Sequence, residues 1–159
     1  MRFTFTMYTQ EQAKQLRKQF WTLLGKRCKA VSELQEKKKK WVLYDTKISG
    51  LDLKFEVTRQ SASVMIELNH RNENKRLDLF EKLQKYRPIL EDGFENGLEW
   101  DFLYVRESGE EVCRIYTEME GVDIHRQKQW PDIFNFFIEN MLKLESNFMD
   151  IRDVLKEEL

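Results

Sequence analysis

The chain has 159 residues, 41% of them apolar and 13% aromatic, with 27 basic side chains against 28 acidic ones and a net charge of −1. That is about one domain's length with ample core-forming material, which excludes a disordered tail, and the balanced charge excludes a molecule-wide basic field for drawing in nucleic acid, leaving only a local patch for that role. Cys28 and Cys113, with two histidines, fall in no ligand-spaced pattern, which argues against a cysteine-rich zinc site and for two reduced, buried thiols.

Met1 to Thr6 has no signal-like apolar run, and no segment approaches the roughly 18 apolar residues of a membrane span, so a cytoplasmic protein with no membrane partner is expected. Residues 1–8 read as a loosely attached extension of a single α+β domain spanning 1–159. Thr9 and Gln12 form a capping-box pattern. Leu16, Phe20, Leu24, Val31 and Leu34 then recur at helical spacing, which predicts a helix to about residue 38, ending in Lys37–Lys40.

Trp41 to Asp45 reads as a strand and Ser49-Gly50 as a turn. Leu51, Leu53, Phe55 and Val57 alternate with polar residues as a half-buried strand does. Arg59–Ala62 reads as a short link into Ser63–Asn69, completing an antiparallel three-strand meander. Asn72 caps a second helix that Pro88 kinks or restarts, and Gly93 and Gly97 close the segment. Leu98–Tyr104 and Val112–Tyr116 form a hairpin around Ser108-Gly109. Trp130-Pro131 opens a long final helix with a wide apolar arc. The order is α-β-β-β-α-β-β-α in one α+β domain, a largely antiparallel sheet packed with helices.

If the second and third strands pair through Arg59–Ala62, Thr58 lies opposite Ser63, Lys54 opposite Glu67 and Asp52 opposite Asn69. This order also matches the core of the restriction-endonuclease-like fold, in which Asp52 and Glu67 would hold Mg²⁺ and Lys54 would stabilise the phosphate in catalysis. The Glu-x-Lys expected there is Glu67-x-Asn69 here, and a cross-strand ion pair on a solvated sheet face explains the same residues more simply. The favoured reading is the solvated face, and no cofactor is predicted outside the nuclease alternative.

Lys37, Lys38, Lys39 and Lys40 with Trp41 form a candidate nucleic-acid-binding patch, phosphates on the lysines and a base on the indole. A solvated helix terminus is the simpler account of the same run. His70 reads as a cap of the strand-to-helix turn and His125 as a loop residue. The arc of Phe134, Phe136, Phe137, Ile138, Met141 and Leu142 exceeds one helix face, and a homodimer interface on this C-terminal helix would use the remainder.

The runs Ile66 to Lys75, Leu79 to Leu83, Leu98 to Trp100, Arg114-Ile115 and Trp130 to Phe134 carry, in this succession, a resemblance to a bacterial family, domain of unknown function 4268. The family has no established activity, and its members are often the C-terminal part of longer proteins with nuclease-like N-terminal regions. The resemblance therefore implies an accessory or recognition module in nucleic-acid processing or defence, present here as a short form. It marks Glu67, Lys75, Glu91, Trp100 and Arg114 as the positions of interest.

Overall fold

The computed structural model describes residues 9–31 and 45–159. Helix α1 (Gln10–Lys29) opens on the expected capping box, in which Thr9 Oγ1 accepts from Gln12 N–H at 3.1 Å and Gln12 Oε1 from Thr9 N–H at 2.9 Å. It ends at Lys29, short of the expected 38. The Ala30 N–H turns back to the carbonyls of Arg27 and Cys28, and Lys26, Arg27 and Lys29 crowd the negative end of the dipole. The expected strand at 41–45 and the extension at 1–8 lie outside the described residues, save Asp45, which is not in a strand.

Strands β1 (Leu51–Val57) and β2 (Ser61–Leu68) form a hairpin, followed by helix α2 (Glu73–Gln84), a short helix α3 (Arg87–Leu90), strands β3 (Glu99–Val105) and β4 (Glu111–Glu120), a 3₁₀ turn at Gln127–Gln129, and helix α4 (Trp130–Glu157). The sheet order is β1-β2-β4-β3, antiparallel throughout. The α+β reading therefore holds, with the helices on one face of a four-stranded sheet.

The first hairpin closes two residues earlier than expected. Thr58 N–H donates to Ser61 O at 2.8 Å, and Thr58 Oγ1 accepts from the N–H groups of Gln60 and Ser61, each at 3.1 Å. The loop is thus Arg59-Gln60, and Asp52 pairs with Glu67, Lys54 with Met65 and Glu56 with Ser63. A shift of two preserves each residue's face and changes only its partner. Before β1, Gly50 adopts φ +78°, and a Cβ there would lie 2.9 Å from His70 Cβ, so this close approach requires glycine.

Leu53, Phe55, Val57, Val64, Ile66, Leu68, Cys113 and Ile115 face the helices and join one core. Phe137 of α4 is the hinge of that core. It is fully buried, stacks on Phe55 of β1 at 4.5 Å between centroids, and meets Phe20 of α1 edge-on at 6.2 Å. Pro88 restarts the helix rather than kinking it: the break falls at Lys85–Tyr86, with Pro88 in the first turn of α3. The buried Asn147 of α4 donates to the carbonyls of Leu90 (2.9 Å) and Asp92 (2.7 Å), satisfying the end of α3.

The wide apolar arc of α4 is spent inside the fold. Phe134, Phe137, Ile138, Met141, Leu144, Phe148, Ile151 and Leu155 are buried, and Phe136 and Leu142 pack partly against the core. Val154 is the large apolar side chain that α4 exposes. Self-association through this helix therefore loses the observation that suggested it.

Candidate functional site

Alternation along β2 sends Glu67, Met65 and Ser63 to the face that no helix covers. All three are nevertheless buried, Glu67 at 0% relative exposure. The cover comes from the β3–β4 hairpin. Its register slips by one residue between Asp101 and Tyr104, a bulge that re-aims the chain beyond it. Tyr104 then lies over the guanidinium of Arg114, 3.7 Å from ring centroid to Cζ, and Arg106 reaches across to Glu67.

Three cations from three strands or their ends surround the Glu67 carboxylate. Lys54 Nζ lies 3.3 Å from Oε1, Arg106 donates to Oε1, and Arg114 Nε donates to Oε2 at 3.2 Å. Arg114 also grips Glu56 with both terminal nitrogens, at 3.1 and 3.0 Å. Burial pushes the Glu67 pKa up, but the Arg106 hydrogen bond and the charges of Lys54, Arg106 and Arg114 outweigh it, so the carboxyl titrates below the ordinary glutamate range. Arg114 responds in the opposite sense: desolvation lowers its pKa, and the Glu56 contact and the Glu67 charge raise it on balance.

The sequence pattern sets Lys54 against Glu67 and Asp52 against Asn69 as direct partners. Both contacts form, but diagonally in the ladder. Asn69 Nδ2 donates to Asp52 Oδ2 at 2.7 Å. Asp52 and Glu67 are register partners, yet Asp52 is exposed and bonded to Asn69, whereas Glu67 is sealed among cations. The residues do not fit a hard divalent cation. Both Glu67 oxygens already accept from cationic side chains, and among the described residues no group of three or more His, Cys, Asp or Glu is placed to hold a metal ion.

Arg106 and Tyr104 join this cluster without any announcement in the sequence, whereas Glu56 lies on the polar face of β1 that the alternation predicts. Arg106 lies 39 residues from Glu67, and a lone arginine after a strand carries no local signal of such a contact. Lys37 to Lys40 and Trp41 lie outside the described residues. His70 does cap the turn, its Nδ1 accepting from Asn72 N–H at 3.1 Å. Burial pushes both thiols, Cys28 and Cys113, up to about 11, far from the reactive thiolate range at neutral pH.

The positions marked by the family resemblance fall into two pairs and one exposed lysine. Glu67 meets Arg114. Glu91 accepts from Leu98 N–H (2.7 Å), Trp100 Nε1 (3.3 Å) and Arg87 Nε (3.0 Å), fastening the loop after α3 to β3. Lys75 is exposed in the first turn of α2. A family profile, Domain of unknown function (DUF4268), matches residues 16–152. The chain belongs to this family. No curated protein and no solved structure matches it. No described helix is long and apolar enough to cross a membrane.

The Glu91 pair yields a specific expectation for this family member. Gly97 adopts φ +70°, and a Cβ there would sit 2.7 Å from Glu91 Oε2. That oxygen is held by Leu98 and Trp100 and has little freedom to retreat. Gly97→Ala should therefore cost about 1–3 kcal/mol in chemical denaturation, against neutral or slightly stabilising behaviour for Gly25→Ala, whose helical backbone suits alanine and whose added Cβ would meet nothing within 4 Å. A Gly97→Ala variant as stable as wild type would show that the Glu91 clamp is loose.

Proposed function

We propose that the chain is a non-catalytic interaction module that associates with nucleic acid through the outward face of α1 and the lysine run beyond it. One observation carries this reading. Helix α1 holds six basic residues and one acidic residue in a chain whose net charge is −1. Its periodicity turns Phe20 and Leu24 inward and leaves Lys14, Lys18 and Lys26 exposed on the other side. Lysines without interleaved carboxylates form a phosphate-tracking surface that depends on counterion release.

The test is a salt titration of binding to a mixed-sequence duplex and to single-stranded DNA and RNA. Replacing Lys14, Lys18 and Lys26 by Gln should weaken binding and flatten the log–log salt slope by about one unit for each phosphate left unneutralised. A separate Lys37–Lys40 to Gln variant reports on that run alone. Unchanged affinity and slope in both variants would remove the nucleic-acid reading.

The rival is a divergent metal-dependent nuclease with a restriction-endonuclease-like core, using Asp52, Glu67 and Lys54. Its support is the register that pairs Asp52 with Glu67. Against it stands the saturation of Glu67 by Lys54, Arg106 and Arg114. Cleavage of DNA or RNA with Mg²⁺ or Mn²⁺ that disappears in Asp52→Asn would favour the rival, and equal background rates would remove it.

A further inference from the structure

Helix α1 joins the rest of the fold along one narrow seam. Phe20 and Leu24 are its buried residues, and Phe20 meets Trp130, Phe134 and Phe137 of α4 at ring centroids 5.3, 5.0 and 6.2 Å apart. The opposite side carries Gln15, Lys18, Gln19, Thr22, Leu23 and Lys26, all exposed and lining one shallow groove. Positions 15, 19, 22 and 26 follow helical spacing, so they form a single row about 16 Å long.

That row differs from an ordinary solvated helix face. Solvated faces interleave Glu and Lys at a spacing of four, whereas Glu11 is the one acidic residue of α1 and lies before the row. Between the lysines stand two primary amides, a hydroxyl and a leucine at 39% exposure. The amides are only lightly engaged. Gln15 Nε2 donates to Glu11 Oε1 at 3.2 Å, and Gln127 Nε2 donates to Gln19 Oε1 at 3.4 Å. Each amide therefore keeps an N–H and an oxygen lone pair to offer together. The Gln127 contact also sets the exposed Arg126 and Lys128 beside the row.

Taking α1 as the phosphate-tracking element, on which this rests, we infer that it is a recognition helix seated in the major groove of duplex DNA. A helix about 10–12 Å across fits a groove about 12 Å wide, provided most of its circumference is free. A primary amide offering donor and acceptor side by side matches the N6 amine and N7 of adenine, and an aliphatic side chain matches the thymine methyl. Gln15 and Gln19 read adenine edges, Leu23 meets a thymine methyl, and Lys14, Lys18 and Lys26 take the phosphates on either side. Duplex RNA presents a major groove too deep and narrow for side chains to read. A single strand needs stacking platforms, and the two aromatic residues of α1 turn inward, Phe20 into the core and Trp21 onto Phe137.

Selection by the full chain from a random-sequence duplex DNA pool, followed by titration, tests this role. A site containing A·T pairs should be enriched and bound about a hundredfold more tightly than its scrambled duplex, its RNA duplex or either single strand. Gln15→Ala and Gln19→Ala, at exposed helical positions that suit alanine, should each reduce that preference about tenfold and leave the salt slope unchanged. Lys14→Gln/Lys26→Gln should do the reverse, flattening the slope and keeping the preference. Three results overturn groove reading while phosphate association by α1 stands: salt-dependent binding with no enriched sequence, a preference that survives both glutamine variants, or tighter binding to single strands or duplex RNA. Binding to none of these probes removes both.

Discussion

Glu67→Ala should destabilise the protein by about 3 kcal/mol, the lower end of the cost of stranding buried charges. The lower end applies because Lys54 and Arg106 are partly exposed and can rehydrate, and Arg114 retains Glu56. For a chain of this size that corresponds to a fall in Tm of roughly 6–12 °C. The pH dependence carries a sign. The Glu67 carboxyl titrates lower folded than unfolded, so its contribution is fully present above the unfolded value of about 4.3 and is lost as pH falls through the lower folded value. Wild type should therefore lose stability on acidification below that point more steeply than Glu67→Gln. Parallel profiles for the two proteins, or a Glu67→Ala variant within experimental error of wild type, would show that the cations hold the face without it.

Phe137→Ala should be at least as damaging, at about 3–5 kcal/mol or roughly 6–20 °C in Tm. The ring is enclosed by Phe55 from the sheet, Phe20 and Trp21 from α1, and its own helix. Three elements meet on one side chain, so none can move alone to fill the void. Thermal and urea unfolding would measure it, with Phe137→Leu expected between the two. A loss under about 1 kcal/mol would mean that α1 collapses onto the sheet and refills the space.

Much of this architecture is legible in the sequence, and the failures have local causes. The period-2 runs of β1 and β2 and the apolar stripe of α4 announce their elements because burial sets their pattern. Helix α1 is overextended by its periodicity because Val31 and Leu34 continue the spacing, and no proline or glycine marks the stop at Ala30. The β1–β2 register expected from the pattern is displaced by two because Arg59-Gln60 is a two-residue loop without glycine or asparagine, closed instead by the Thr58 hydroxyl. Even so, Asp52, Lys54, Glu56 and Glu67 fall on the correct face, since a shift of two cannot change it. The remaining site members are invisible for a different reason. Arg106 and Arg114 reach Glu67 from 39 and 47 residues away, and the bulge in β3 that steers Tyr104 and Arg106 inward has no glycine to signal it.

The sealed carboxylate also constrains how this sequence drifts. Loss of Glu67 strands its cations, and loss of Arg106 or Arg114 alone removes a neutralising partner from a buried anion. Each single step is costly, whereas exchanging all three for packed apolar residues is of the kind that is often neutral or stabilising. Positions 67, 106 and 114 are thus bound into one inherited unit, expected to persist together or be replaced together among relatives, while Asp52 and Asn69 at the exposed end of the same face are at liberty to vary.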